Sequence, residues 1–226
     1  MPITFVNSTA RIITAANQST WSLATHSSRL GGAAFMVGLG LGSSAVTVSA
    51  VTDNTTNTYL LAIRRPTPKP AVGTELWYVT NISSASTRVS VTLSGNSSGG
   101  LAIAQFAGVS TANSLLATAS SAITANSTSH GAAEITSSGT AVSFSRLTAS
   151  TLGTITGLGS MTAWVSTNAL LRTYGQYLIN TAPSTVTASY TTSSNAQHAS
   201  VLAVFSDTVV IVPGGRADPF MLMGMC

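Results

Sequence analysis

The chain has 226 residues, of which 6% are charged and 44% hydrophobic, with a formal net charge of +4 and a mean hydropathy of +0.38. Disorder needs low hydrophobicity, so these values exclude a disordered body, and the one cysteine, Cys226, excludes an internal disulfide. Nucleic-acid binders gather Lys and Arg on one face or stripe; here only Arg64, Arg65 and Lys69 lie close together, which argues against specific nucleic-acid binding.

The opening MPITFVNSTARIITAANQ lacks a basic stretch followed by an apolar one, so no signal peptide is read there. Strands are predicted near 3–6 and 10–14, with residues 1–30 as a partly extended N-terminal strand region. Leu30 to Val51 is uncharged, but Gly31, Gly32, Gly38, Gly40 and Gly42 interrupt it. A membrane helix needs about 20 mainly apolar residues; buried strands joined by a Gly/Ser turn are predicted instead, with AAFMVGL (33–39) apolar on both faces. AVTVSAV alternates, setting Val46, Val48 and Ala50 on one face. Asp53-Asn54 marks a turn, and a strand follows near 58–64. RRPTPKP (64–70) reads as a stiff extended loop, since each proline fixes φ and restricts its predecessor. Its Arg64, Arg65 and Lys69 form a candidate loop for an anionic partner.

The strand near 74–80 carries Trp77 and Tyr78, neighbours that point to opposite faces; one is expected to anchor the core and the other to be exposed. Asn81 marks a turn. RVSVTLS puts Val89, Val91 and Leu93 opposite Arg88, Ser90 and Thr92. Gly95 to Gly100 reads as a turn leading to a central strand, GLAIAQFAGV (100–109). TANSLLATASSAITA (111–125) is compatible with a short helix or with extended structure. TAVSFSR sets Val142 and Phe144 on one side, Ser138-Gly139 marks a turn before it, and strands follow near 153–158, 161–166 and 170–179. TVTASYT places Val186, Ala188 and Tyr190 on one face, Ser193–Asn195 reads as a turn, and ASVLAVFS (199–206) is the last core strand.

Short strands at intervals of about 8 to 12 residues indicate an all-β fold, an antiparallel β-sandwich of jelly-roll or Ig-like type. No composition shift divides residues 1–207, which are expected to form a single domain, followed by an extended C-terminal arm at 208–226. The arm lies beyond the breakers Pro213, Gly214 and Gly215 and is interrupted again by Pro219. Its Val210, Val212, Phe220, Met221, Leu222, Met223 and Met225 are the candidate partner-binding residues, because methionine adapts to irregular pockets.

Catalytic or metal chemistry would require converging His, Cys, Asp or Glu. His26, His130 and His198 and the five acids, Asp53, Glu75, Glu134, Asp207 and Asp218, show no ligand spacing. GLGLGSS (38–44) has no lysine and no following helix, so it is not a phosphate loop. No catalytic residue, metal or cofactor is assigned, and the chain reads as a non-enzyme. Trp21, Trp77, Trp164 and Tyr59 are candidate stacking platforms if glycans are bound.

Four stretches carry a resemblance: VTVSAVTDNTTNTYLLAI (46–63), ELWYVTNISSASTRVSVTLSG (75–95), LAIAQFAGVSTANSLLATAS (101–120) and ASYTTSSNAQHASVLAVF (188–205). The strand ending in VTD, the NTY strand start, the WY strand, the alternating strand and the AQFAGV strand resemble a group of β-sandwich domains encoded in phage genomes and in some bacterial surface proteins. Gln105 stands where an acid is common in that group. The resemblance implies a binding or virion-structural module. Together with a hydroxyl-rich, charge-poor composition (68 Ser plus Thr) and no export signal, it leads to the expectation of a phage virion protein, made in the host cytoplasm. A capsid decoration (cement) protein is expected first; a tail or fibre component, a carbohydrate-binding adhesive module and a self-assembling surface filament are the alternatives. The expected partners are a major capsid protein or other virion subunits and further copies of the chain, for which a trimer would suit local threefold sites; no membrane partner is expected.

Overall fold

The computed structural model describes residues 1–66, 72–131, 134–137, 139–150, 154–158, 160–168 and 172–207. The described residues contain strands and no helix: β1 (Thr4–Ala24), β2 (Ala34–Leu41), β3 (Val48–Asp53), β4 (Leu60–Pro66), β5 (Gly73–Val79), β6 (Arg88–Ala107), β7 (Leu115–Gly131), β8 (Ile135–Ser137), β9 (Ala141–Ala149), β10 (Ile155–Leu158), β11 (Thr162–Asn168), β12 (Arg172–Asn180), β13 (Ser184–Val186) and β14 (Ser189–Ser206). Two six-stranded antiparallel sheets pack against each other as an all-β sandwich. The first has the order β1-β6-β2-β5-β4, with β3 also on β6; the second has β10-β14-β9-β12-β11, with β7 also on β14. A short β8–β13 pair stands apart.

The alternating segments fold as their pattern dictates. Val89, Val91 and Leu93 are buried, as are Val186, Ala188 and Tyr190, while their hydroxyl neighbours face outward or lie at the margin. In β3 the alternation slips: the pairing to β6 shifts between Val48 and Ala50, so Val48 and Val51 are buried and Ala50 is only half-buried. A bulge of this kind inserts one residue and changes which face follows. β9 departs from the expected half-buried strand, being buried at every position from Ala141 to Ala149. One of its faces packs on the first sheet and the other lines a core within the second half.

The strands are longer than the turn signals suggest. Gly95 to Gly100 is no turn but the middle of β6, and Ser193–Asn195 lies inside β14. Residues 115–125 are strand β7, which resolves that stretch as extended. At the Gly/Ser runs the strands change partners. β6 pairs with β3 before Ser94 and with β2 from Gly99 onward; β14 pairs with β10 up to Thr192 and with β9 from His198 onward. The flanking strand slips register at the same level, between Ile13 and Thr20 in β1 and between Thr191 and His198 opposite β7. Small and hydroxyl residues there allow a continuous strand to bend from one layer into the next.

Those two bends lie at matching points of one repeated plan. β1, β2, β3, β4, β5 and β6 correspond in order and pairing to β7, β9, β10, β11, β12 and β14. The register fixes residue equivalents. Met36 pairs with Ala104 and Tyr78, as Phe144 pairs with Ala203 and Tyr177. Phe5 opposite Phe106 matches Leu115 opposite Phe205. Both outer strands skip one residue at equivalent points, between Leu61 and Ile63 and between Ala163 and Val165. Gly108, at φ 78, turns the chain out of β6 toward the second copy of the plan, and a β-carbon there would strike the backbone of Pro2.

Three cores result. Trp21, Phe35, Val37, Leu39, Val91 and Leu101 belong to one enclosed by the first half. Leu147, Ile155, Ala188, Tyr190, Leu202 and Val204 belong to one enclosed by the second. Between the sheets, Met36, Leu76, Phe106, Phe144, Trp164 and Phe205 form the third. Burying such side chains stabilises by about 1.5–3 kcal/mol each, and the aromatic pairs add orientation-dependent attraction.

Candidate functional site

The most polar buried place in the first half surrounds Glu75, which β5 turns inward at 1% exposure. Arg64 on β4 donates from Nε to Glu75 Oε1 at 2.8 Å and from Nη2 to Oε2 at 3.2 Å. The Val48 amide donates to Oε1 at 3.0 Å, the Trp77 indole to Oε2 at 2.8 Å, and Arg64 Nη2 also to the Val48 carbonyl at 2.8 Å. The carboxylate thus has a donor on every side, the condition under which a buried charge is tolerated. A cavity of about 10 Å³ beside it, lined by Leu41, Thr74, Arg64 and Glu75, has room for about one water molecule.

Asp53 is a second hub. Its Oδ1 accepts from the Thr55 amide at 2.8 Å and the Thr55 hydroxyl at 2.7 Å. Its Oδ2 accepts from Asn57 Nδ2 at 2.6 Å, Ser86 Oγ at 2.8 Å and the Tyr59 hydroxyl at 3.2 Å. Burial pushes its carboxyl upward, but the hydrogen bonds from Thr55, Asn57 and Ser86 outweigh that and hold it below the usual 3.8. Asn54 completes the joint, accepting from the Thr87 and Arg88 amides and donating to the Ala85 carbonyl. The VTDN…NTY pattern therefore ties two loops together, a structural task.

The interface between the sheets has the geometry of an internal two-fold axis. Tyr78 lies on Phe205 with ring centres 5.0 Å apart, and the equivalents Tyr177 and Phe106 are 5.3 Å apart. Thr74 Oγ1 is within hydrogen-bond distance of Thr148 Oγ1, at 2.7 Å, and of the Ala199 carbonyl, at 3.1 Å; in the mirrored contact Thr173 fills the space above Gly40. On the axis Gly38 faces its own equivalent, Arg146, whose Cδ would lie 3.2 Å from a β-carbon at Gly38. Arg146 is fully buried. It donates from Nη2 to Thr173 Oγ1 at 2.8 Å and lies 5.6 Å from the centre of the Trp164 ring, while its Nε and Nη1 have no hydrogen-bond partner among the described residues.

The sequence-predicted site residues are dispersed. Arg64 and Arg65 belong to strand β4, not to a loop, and Arg64 is held by Glu75; Lys69 lies outside the described residues. So do Val210, Val212, Phe220, Met221, Leu222, Met223 and Met225. Trp21, Tyr59 and Trp164 are buried at 1%, 7% and 8% exposure, so they are core residues and not stacking platforms. Trp77 and Tyr78 do point to opposite faces, but both are half-buried, one against the core of the first half and the other against the interface. No group of three or more His, Cys, Asp or Glu converges among the described residues. Gly38 and Gly40, expected only as strand or turn glycines, and Thr74, Thr148 and Arg146, to which the sequence assigns no role, make the joint. The signal available for it was a repeat: TELWY (74–78) corresponds to TYGQY (173–177), and AQF (104–106) to AVF (203–205). No protein-family model, curated protein or solved structure matches the chain.

Proposed function

We propose that the chain is a structural subunit of a phage particle, first of all a capsid decoration protein, whose body is a rigid double sheet and whose C-terminal residues dock on a neighbouring subunit. The supporting observation is the anchorage of the last strand. β14 is held between β7 and β9, and Ser206 donates to the Ser114 carbonyl at 2.8 Å while its own carbonyl accepts from the Ser110 amide at 2.9 Å. The last described strand is therefore fixed to the body up to Ser206, and the apolar Val210, Val212, Phe220, Met221, Leu222 and Met223 follow it in sequence. Docking such residues gains about 25 cal/mol per Å² of apolar surface buried, against the cost of ordering them.

Purified particles carrying the full chain should show it on the shell by electron microscopy. A form ending at Asp207 should fold, with unchanged thermal unfolding, and fail to load. Absence of the full chain from purified particles would overturn the proposal, and normal loading of the shortened form would remove the docking role.

A further inference from the structure

In the first half, the indole of Trp21 on β1 occupies the space above Gly99 on β6; a β-carbon at Gly99 would fall 2.5 Å from Trp21 Cη2. The register fixes the equivalents in the second half. Trp21 pairs with Val91 as His130 pairs with Tyr190, and Gly99 pairs with Leu41 as His198 pairs with Ala149. A large apolar ring over a glycine is thus replaced by two imidazoles. His130 and His198 pack with ring centres 4.1 Å apart at 61°, and both are buried, at 3% and 0% exposure.

The pair is sparsely bonded. Thr192 donates its hydroxyl proton to the Ser194 carbonyl at 2.8 Å, so it accepts at Oγ1 from His130 Nε2, also at 2.8 Å. That assigns the proton of neutral His130 to Nε2. Among the described residues its Nδ1 and both ring nitrogens of His198 have no hydrogen-bond partner. A second proton on either ring would place a charge in a closed core beside another imidazole.

Among the described residues no acid stands ready to receive that charge. β7 and β14 carry no Asp or Glu, and the other titratable group they bring to this core is Tyr190, bonded to Ser145 at 2.7 Å. β9 sets Ala149 against His198 and turns Arg146 toward the interface; β10 contributes Ile155. β12 contributes Tyr174, edge-on to Tyr190, and Arg172 at the register position beyond Ala149. Glu134, ahead of β8, is exposed.

We propose that the His130–His198 pair is an acid-operated latch, which opens the second half of the chain under mildly acidic conditions while the first half, closed by Trp21 over Gly99, stays shut. Burial, with His130 alongside, holds His198 down to about 3, and burial holds His130 below its usual 6.5. The folded state thus keeps both rings neutral, whereas the unfolded chain takes up protons as pH falls through about 6.5. The stability in question is complete above that value and declines below it. By pH 5 the opening equilibrium should have risen about 30-fold from His198 alone, and further in the same direction from His130. That window lies above the range in which the Asp53 carboxylate titrates.

The test is hydrogen exchange of the full chain at pH 7.5 and 5.0, corrected for the intrinsic rate. Amides of β7 and β14 near the pair should lose protection by a factor between about 30 and 1,000, while the equivalent amides of β1 and β6 keep theirs. Unchanged protection in the second half, or equal loss in both halves, overturns the latch. Transplanting the first-half arrangement, His130→Trp with His198→Gly, should abolish the difference between the two pH values. Should that double variant not fold, His198→Ala alone should reduce the response to that of a single histidine. Retention of the full response in either folded variant also overturns the proposal.

Discussion

Gly38 and Arg146 occupy the same position in the two copies of the strand plan, and they face each other on the axis that relates them. A long, fully buried side chain sits where its counterpart has none, so the two sheets close on an asymmetric contact within a symmetric frame. The arginine is an unfavourable filler, because among the described residues two of its nitrogens are unpartnered and no carboxylate neutralises it. Arg146→Met should keep the volume and remove that cost, raising stability by about 1–3 kcal/mol. A urea midpoint lower than that of the parent chain would show that the guanidinium is worth more than its desolvation.

Gly40 makes the complementary case. A β-carbon there would lie 2.6 Å from Thr148 Oγ1, a hydroxyl within bonding distance of Thr74. Gly40→Val should force the sheets apart and cost about 1–3 kcal/mol. Adding Thr148→Ala to the milder Gly40→Ala should recover part of the loss. Calorimetry on the single and double variants measures the coupling, and strict additivity would mean the contact is not shared.

Glu75 should be the costliest single position in the first half. Glu75→Gln leaves Arg64 facing a neutral group in a site where the carboxylate accepts four hydrogen bonds from three residues. Breaking a fully buried pair from one side costs about 3–5 kcal/mol; the Arg64 side chain is 33% exposed, so water takes up part of the lost partner and the cost should fall below that range. Pairing Glu75→Gln with Arg64→Met should cost less than Glu75→Gln alone, read from chemical denaturation of all four forms; a sum of independent losses would contradict the geometry.

Asp53 predicts a separate acid effect. Its carboxyl is held below the usual 3.8, so its contribution is complete above that value and is lost as pH falls through the folded value. Asp53→Asn should lower stability at pH 6 by about 1–3 kcal/mol, and the gap between variant and parent should narrow below about pH 4. A gap of constant size down to pH 2.5 would count against the hub.

Much of the fold was written in local alternation. Val89, Val91 and Leu93, or Val186, Ala188 and Tyr190, declare their buried face because strand side chains alternate and one side meets water. The bends were misread because glycine and serine serve equally in turns and in strands that change layer, and only the partner strands distinguish the two. The joint between the halves was harder still. Thr74 and Thr173, Tyr78 and Tyr177, and Phe106 and Phe205 repeat by type, but Leu76 matches Gly175 and Ala62 matches Trp164. The Trp164 indole fills the space over Gly175, so what is preserved there is summed volume across two strands, which no single position displays.

The mismatch on the axis has a consequence for how copies of the chain meet. Two first halves brought together would set Gly38 against Gly38 and leave a void, and two second halves would press one buried Arg146 on another. Only unlike halves close. The joint is thus a lock and key cut from one repeated pattern, each half shaped for the other and not for its own likeness.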